Sequence, residues 1–198
     1  MKIEPKKSCV QVYTGNGKGK TTAAMGLTLR ALGADKKVAF IQFMKALGYS
    51  EHKVMKNLSP NLTHFTVGRP FFMAKEGSLS AEELEKISKN CLVFPPGSPP
   101  PEYVALIQEG LDKTEAIVQN GDYDLVVLDE INCALFFELA AWPRISRLID
   151  GRHEKTELVL TGRGAPEELI TKADLVTEMR EIKHYYQNGV MARRGIEN

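Results

Sequence analysis

The chain has 198 residues, of which 43% are hydrophobic and 26% charged, with a net charge of +1. This composition is typical of one well-buried globular domain, and we expect a single domain over residues 1–198. A net charge near zero favours neither nucleic acid nor a membrane surface as a partner, and we expect neither. No signal-peptide pattern and no apolar run of ~20 residues stands in the sequence, so the cytoplasm is the expected location. The three cysteines lie far apart, which favours neither a disulfide framework nor a metal site.

Short β-rich runs alternate with longer helical stretches in the first half of the chain. Residues 8–13 predict a strand that enters a glycine-rich turn, and a helix follows over 21–32. The apolar run 38–43 is typical of a strand buried on both faces, and 62–67 predicts a further strand. A capping box that begins at Ser80 predicts a short helix to about residue 90.

The second half of the chain continues the same alternation after a proline-rich segment. Residues 95–101 contain five prolines, a glycine and a serine, and we expect a lid or loop region over about 68–101. Helices are predicted at 102–120, 131–140, 143–149 and 166–173, and strands at 125–128, at 158–160 and from residue 175. The alternation predicts an α/β fold, a three-layer sandwich with a mainly parallel central sheet covered by helices on both faces.

The strongest motif lies between the first strand and the first helix. Glycines there let several backbone N–H groups point at one anion, and the start of the helix adds its positive dipole end. Lys20 is predicted to reach the terminal phosphates, and the Thr21 hydroxyl to bind Mg²⁺. The motif departs from G-x-x-x-x-G-K-[ST] only at its first position, and the alternative is a glycine-rich turn with an incidental Gly-Lys-Thr. We predict a P-loop NTPase-like fold whose nucleotide-binding residues are Thr14, Gly15, Asn16, Gly17, Lys18, Gly19, Lys20, Thr21 and Thr22.

Two further segments follow predicted strands and should lie near this loop. Asp129 and Glu130 come directly after the strand 125–128, and the carboxyl ends of parallel strands face the ligand crevice. Carboxylate oxygens suit a hard cation, so one of them is predicted to hold Mg²⁺; a solvated acidic turn is the alternative. Arg163 stands in a glycine-containing turn after another strand and is predicted to reach a phosphate, with an ordinary loop arginine as the alternative.

The residues alone leave the reaction open. A Mg²⁺-nucleotide site of this kind occurs in kinases, ATPases, other transferases and nucleotide-sensing switches. The four histidines are scattered along the chain, and each is expected to be structural or exposed: His52, His64, His153 and His184.

Taken together, the motifs resemble the ATP:corrinoid adenosyltransferase family. The matching segments are 13–24, 38–45, 124–130, 160–165 and 174–180, continuing through Lys183 and His184 to 189–196. The resemblance implies transfer of the 5′-deoxyadenosyl group of ATP to the cobalt of a reduced corrinoid, with release of triphosphate. The corrinoid would be cob(I)alamin, cobinamide or cobyrinic acid a,c-diamide. It also implies a nucleotide bound in the reversed sense, a homodimer, and a flavoprotein that donates electrons.

The roles of individual residues follow from that resemblance. Cob(I) is itself a strong nucleophile, so the protein needs no general base and has to place the ribose carbon and stabilise the departing triphosphate. The implied catalytic residues are Lys20, Lys18 and Glu130, and Mg²⁺ would be held by Thr21 with Glu130 or Asp129.

One segment departs from the family pattern. Where the family commonly has Gly-Phe-Thr-Trp, this chain has the sequence Gly-Arg-Pro-Phe-Phe over residues 68–72. Phe71 and Phe72 are candidates for the apolar wedge of a corrinoid pocket, with ordinary core or lid aromatics as the alternative. The departure leaves two other functions open, namely a divergent ATP-binding protein that hydrolyses ATP or uses another acceptor, and a non-catalytic sensor of nucleotide or corrinoid.

Overall fold

A computed structural model describes residues 8–46, 48–80, 85 and 91–197. Its strands are β1 (Val10–Thr14), β2 (Val38–Phe43), β3 (Leu62–Val67), β4 (Phe72–Lys75), β5 (Cys91–Phe94), β6 (Leu125–Asp129), β7 (Glu157–Thr161) and β8 (Leu175–Glu178). Within these residues six strands form one sheet in the order β3-β2-β6-β7-β1-β8, and every neighbouring pair is parallel. Strands β4 and β5 pair separately, also in parallel.

Helices cover both faces of the large sheet. They are α1 (Lys20–Leu32), α2 (Ser50–Met55), α3 (Pro101–Gln119), α4 (Ile131–Phe136), α5 (Trp142–Asp150) and α6 (Glu167–Lys172), and a 3₁₀ turn spans Tyr185–Asn188. Consecutive residues of β2 point to opposite faces, so Phe40 packs in one core cluster with Ala24 of α1, and Ile41 packs in the other with Ile107 of α3. This three-layer arrangement confirms the predicted α/β sandwich. Among the described helices, none is long and apolar enough to cross a membrane.

The structure differs from the predicted elements in three places. The helix predicted over 131–140 ends at Phe136, because Glu138 adopts a left-handed φ of 62° and the Leu139 N–H turns back to the carbonyl of Ala134. Helix α2 and the β4–β5 pair were not predicted, and both strands of that pair lie in the segment expected to be a lid or loop. The helix predicted from the capping box lies almost wholly outside the described residues.

Parallel pairing places the carboxyl ends of the sheet strands along one edge. Strand β1 ends at Thr14, β6 at Asp129 and β7 at Thr161. The predicted nucleotide-binding segment that begins at the end of β1, residues 14–21, is called the phosphate loop below. Glu130 and Arg163 lie in the turns that follow β6 and β7. The phosphate loop joins β1 to α1, and α1 packs across β2, β6 and β7. The chain therefore brings its candidate site residues to one edge through its topology.

Two helical glycines make a matched test of the packing between the layers. On α3, a Cβ added at Gly110 would lie 2.5 Å from Cγ1 of Val67, whereas one added at exposed Gly26 of α1 would have no neighbour within 4 Å. Overpacking costs roughly 1–3 kcal/mol, against a gain in helix propensity of about 1 kcal/mol for Gly→Ala. We expect Gly110→Ala to lower the free energy of unfolding in urea and Gly26→Ala to raise it. Equal gains in both variants would contradict the close contact between α3 and β3.

Candidate active site

The phosphate loop is held against the segment that follows β8. The Gly17 N–H donates to the carbonyl of Met179 over 2.7 Å, and a Cβ on Gly17 would lie 2.8 Å from the carbonyl carbon of Arg180. A Cβ on Gly15, whose φ is +94°, would collide with the Met179 carbonyl oxygen. Glycine is therefore required at both positions by a close backbone approach, and at Gly15 also by its positive φ.

The side chain of Lys20 lies inside the loop. Its Nζ donates to the carbonyls of Gly15 over 2.6 Å and Gly17 over 2.8 Å, and the residue is buried. Burial lowers the pKa of Lys20, and the positive charge of Arg163 lowers it further. An anionic phosphate in the loop would offset both effects, because it would supply the negative charge that the buried ammonium needs.

The polar residues Asn16 and Lys18 of the loop are exposed. Lys18 donates to Tyr185 Oη over 3.0 Å and pairs with Glu197 over 2.9 Å, so the end of the chain lies against the loop. Asn16 and Arg163 line a cavity of about 540 Å³ together with Glu178, Arg180 and Glu181. Thr14 is buried at the end of β1, and Thr22 is exposed on the first turn of α1.

A buried carboxylate, that of Asp129, lies beside the loop with no exposed surface. Its Oδ1 accepts hydrogen bonds from the hydroxyls of Thr21 over 2.9 Å and Thr161 over 2.6 Å. Its Oδ2 accepts from Gln42 Nε2 and from Lys45 Nζ, each over 3.0 Å. Burial lowers the pKa of Lys45, but the charge of Asp129 and its hydrogen bond outweigh that effect and raise it overall. The ion pair with Asp129 therefore favours the charged form of Lys45.

Glu130 begins α4 in a left-handed conformation, with φ of 63°. Its backbone N–H donates to Thr161 Oγ1 over 3.1 Å, and its carboxylate accepts from Cys133 Sγ over 2.8 Å. Burial raises the pKa of the Cys133 thiol well above its usual range, and the neighbouring Glu130 charge raises it further. Cys133 is therefore a protonated donor to Glu130.

The oxygen donors around Thr21 fit a magnesium ion that also binds phosphate. Thr21, Asp129 and Glu130 offer hydroxyl and carboxylate oxygens, which hard cations prefer. In the described part of the chain no cluster of three His, Cys, Asp or Glu residues could hold a metal by itself. Mg²⁺ usually takes one or two carboxylates and completes its octahedron with water and phosphate oxygens, which matches this donor set.

A second cavity, of about 520 Å³, opens beside the ends of β2 and β3. Phe71 and Phe72 line it, and the ring of Phe71 packs against Tyr103 with centroids 5.6 Å apart. The described residues of its wall include apolar and cationic side chains and no acidic one; they are Met44, Ala46, Gly48, Tyr49, Ser50, Lys53, Arg69, Pro70, Phe71, Phe72 and Arg194.

The structure thus places the predicted site residues in two groups. Lys20, Thr21 and Asp129 lie together, with Glu130 and Arg163 near enough to shift the pKa of Lys20. Phe71 and Phe72 belong to the second cavity.

Two residues that touch Asp129 had been given no role from the sequence. Gln42 is a polar residue inside an otherwise apolar strand, and this pattern would have indicated a buried hydrogen-bonding role. Lys45 follows that strand by two residues, so the rule about strand ends would have found it.

Comparisons with known proteins identify the family of the chain. A family model described as ATP:corrinoid adenosyltransferase BtuR/CobO/CobP matches residues 6–198. The chain belongs to the ATP:corrinoid adenosyltransferase family. The resemblance drawn from its motifs is confirmed, and so is the expectation that it is an enzyme of this class.

Several curated relatives are similar over almost the whole of this chain and over most of their own length. A corrinoid adenosyltransferase of a Sinorhizobium species is 31% identical over 96% of this chain and 80% of its own length. One from Pseudomonas aeruginosa is 31% identical over 94% of this chain and 81% of its own. One from Escherichia coli strain K12 is 27% identical over 98% and 87%, respectively. The match therefore extends through the middle segment where the aromatic motif departs.

The contact between Cys133 and Glu130 predicts the reactivity of this thiol. Since the thiolate is the reactive form and one pKa unit changes its fraction about tenfold, Cys133 should react slowly with iodoacetamide at pH 8. Glu130→Gln removes the like charge, so the alkylation rate of Cys133 should rise while that of Cys9 stays constant. Peptide mapping by mass spectrometry measures both rates. An unchanged Cys133 rate in the variant would contradict the contact.

Proposed function

We propose that this adenosyltransferase transfers the 5′-deoxyadenosyl group of ATP to the cobalt of a reduced corrinoid and releases triphosphate. In this reaction the cobalt electron pair forms a bond to C5′ of the ribose, and the bond between C5′ and its oxygen breaks. The electron pair of the broken C5′–O bond leaves with the triphosphate. Because the cobalt lone pair is the nucleophile, no proton has to be removed from it.

The observation that carries the proposal is the link between the two halves of the site. Thr21 on the phosphate-loop side and Lys45 on the other side both bind the carboxylate of Asp129. Lys45 stands in the chain between Met44 and Ala46, which line the second cavity. A nucleotide in the loop and a second substrate in that cavity would therefore lie on either side of one ion pair.

The residues of the loop would bind and stabilise the triphosphate. Lys20 would exchange its bonds to the Gly15 and Gly17 carbonyls for bonds to phosphate oxygens, and Arg163 would add a second charge at the adjacent cavity. Lys18 would join them by exchanging its ion pair with Glu197 for one with phosphate. Remaining contacts would come from Asn16, the loop amides and the start of α1 near Thr22.

The metal would be held by Thr21 and by Glu130 or Asp129. When bound, Mg²⁺ would neutralise charge on the triphosphate as it departs. The four donors on Asp129 occupy both of its oxygens, whereas the carboxylate of Glu130 receives one described hydrogen bond, from Cys133. This difference favours Glu130 for direct or water-mediated contact and Asp129 for holding Thr21 in place.

The corrinoid would lie in the second cavity, over the aromatic wall formed by Phe71 and Phe72. Phe72 is 62% exposed, so a large apolar ring is available to an incoming macrocycle. At the rim, Lys53, Arg69 and Arg194 would meet anionic groups of the corrinoid periphery.

We further propose a cytoplasmic homodimer that works with an electron donor. Strand β8 lies at one edge of the sheet, and its Leu175 and Val176 are exposed, as is Ile182 beyond it, so a second copy would cover apolar surface there. Formation of cob(I) requires an electron from outside the transfer reaction, and we propose a flavoprotein as its source.

Anaerobic incubation with Mg²⁺-ATP and chemically reduced cob(I)alamin tests the proposal directly. We expect a light-sensitive cobalt–carbon product and stoichiometric triphosphate. Lys20→Ala should abolish turnover and weaken ATP binding strongly, whereas Lys36→Ala, at an exposed site beyond the C-terminal end of α1, should behave as wild type. Release of ADP and phosphate without corrinoid, or ATP binding without any product, would overturn the proposal.

The cationic rim predicts discrimination among corrinoids. Lys53→Gln, Arg69→Gln and Arg194→Gln should each raise KM for the carboxylate-bearing cobyrinic acid a,c-diamide about twofold to fivefold, the size expected of one exposed charge pair. KM for cobinamide, whose side chains are amides, should change less. Lys113→Gln on the surface of α3 is the matched control. Equal changes in KM for both corrinoids would show that the rim does not discriminate between them by charge.

A further inference from the structure

We propose that His52 and His64 are positioning residues that act on Asp129 through Gln42. The two imidazoles hold the carboxamide oxygen of Gln42, which turns its NH₂ group toward the carboxylate beside Thr21. The inference rests on the proposed role of Thr21 and Asp129 in binding Mg²⁺-ATP.

Gln42 lies at the centre of a buried hydrogen-bond chain. It has no exposed surface, and its Nε2 donates to Asp129 Oδ2 over 3.0 Å. Its Oε1 is 2.8 Å from His52 Nε2 and 2.9 Å from His64 Nε2. A carbonyl oxygen has two lone pairs, and the two imidazoles occupy both.

The hydrogen-bond partners on its two sides, imidazole donors on one and a carboxylate acceptor on the other, fix the orientation of the Gln42 amide. If the amide turned over, its NH₂ group would face two imidazole N–H groups and its oxygen would face the Asp129 carboxylate. Both contacts would be repulsive and buried, which is costly in a low-dielectric interior. The histidines thus leave only one orientation, the one that supplies a donor to Asp129.

The protonation state of His52 follows from its second ring nitrogen. Nδ1 of His52 accepts the backbone N–H of Gly48 over 3.2 Å, so the neutral ring has its proton on Nε2, the atom that faces Gln42. Burial lowers the pKa of both His52 and His64, which agrees with neutral rings that donate through Nε2.

Three separate elements build the clamp. His52 lies on α2, His64 lies on β3, and Gln42 lies on β2, two residues from Phe40, the residue that pairs with His64 in the sheet register. The two imidazole centroids are 5.1 Å apart. The arrangement connects the outer strand β3 to the metal side of the site, although neither histidine touches Asp129 or the loop.

Gln42 matters because it shares Asp129 Oδ2 with Lys45. Without the oriented amide, Oδ2 would keep one described donor, and the carboxylate could rotate away from the geometry that receives Thr21. We therefore expect loss of the clamp to weaken the Mg²⁺-dependent part of ATP binding more than the Mg²⁺-independent part. A cluster that served only to fill the interior would lower stability and leave Mg²⁺ dependence unchanged.

A double-mutant cycle separates these two roles, with ATP binding measured by calorimetry over a range of Mg²⁺ concentrations and no corrinoid. We expect His52→Ala and His64→Ala each to raise the half-saturating Mg²⁺ concentration several-fold. In a Gln42→Met background the same substitutions should add less than twofold, because the connecting amide is gone. Full effects in that background, or a lower Tm with unchanged Mg²⁺ dependence, would overturn the inference.

Two controls keep the test decisive. His153→Ala, at a histidine outside the clamp, should leave the Mg²⁺ dependence unchanged. In the wild-type protein, ¹⁵N spectra of the imidazoles at pH 7 should show neutral rings with Nε2 protonated at His52 and His64. This measurement needs no variant, so it tests the clamp even if the variants fold poorly. A proton on Nδ1 of His52 would overturn the clamp. Adenosyl transfer is a separate readout: its absence, with the Mg²⁺ effects intact, would reject the proposed function and leave the clamp standing.

Discussion

The carboxylate of Asp129 is the constraint on which the rest of the site depends. An ion with no exposed surface costs several kcal/mol unless charge and hydrogen bonds compensate it. Here the donors come from four different places in the fold: Thr21 on the first helix, Gln42 on β2, Lys45 beyond that strand and Thr161 on β7. Satisfying one buried charge therefore holds the carboxyl edge of the sheet in a single arrangement.

That arrangement suits a reaction in which the nucleophile brings its own reactivity. In the proposed transfer, a reduced corrinoid needs no proton removed, so the rate would come from alignment of the ribose carbon and from positive charge opposite the departing triphosphate. The site concentrates its cations accordingly, with Lys20 in the loop, Arg163 beside it and Lys45 at the boundary with the second cavity. Rigid support matters more here than acid–base groups tuned near neutral pH.

The C-terminal part of the chain completes the phosphate loop as well as the sheet. Gly15 and Gly17 lie against the backbone of residues 179–180, so the glycines serve a contact from a distant part of the sequence. Nearer the C-terminus, Tyr185 and Glu197 accept hydrogen bonds from Lys18. The loop thus packs against a distant part of its own chain, and its lysines bind backbone carbonyls and a carboxylate.

The sequence by itself determined the alternation of strands and helices, the phosphate loop and the position of Asp129 at a strand end, because these depend on local periodicity and short-range motifs. It did not predict α2 or the β4–β5 pair, whose short segments lack a decisive pattern. Only the tertiary structure decided that His52, His64 and Gln42 meet, or that Lys45 neutralises Asp129. Those contacts join residues from separate elements, and pairing across a sheet depends on strand order, which no single segment encodes.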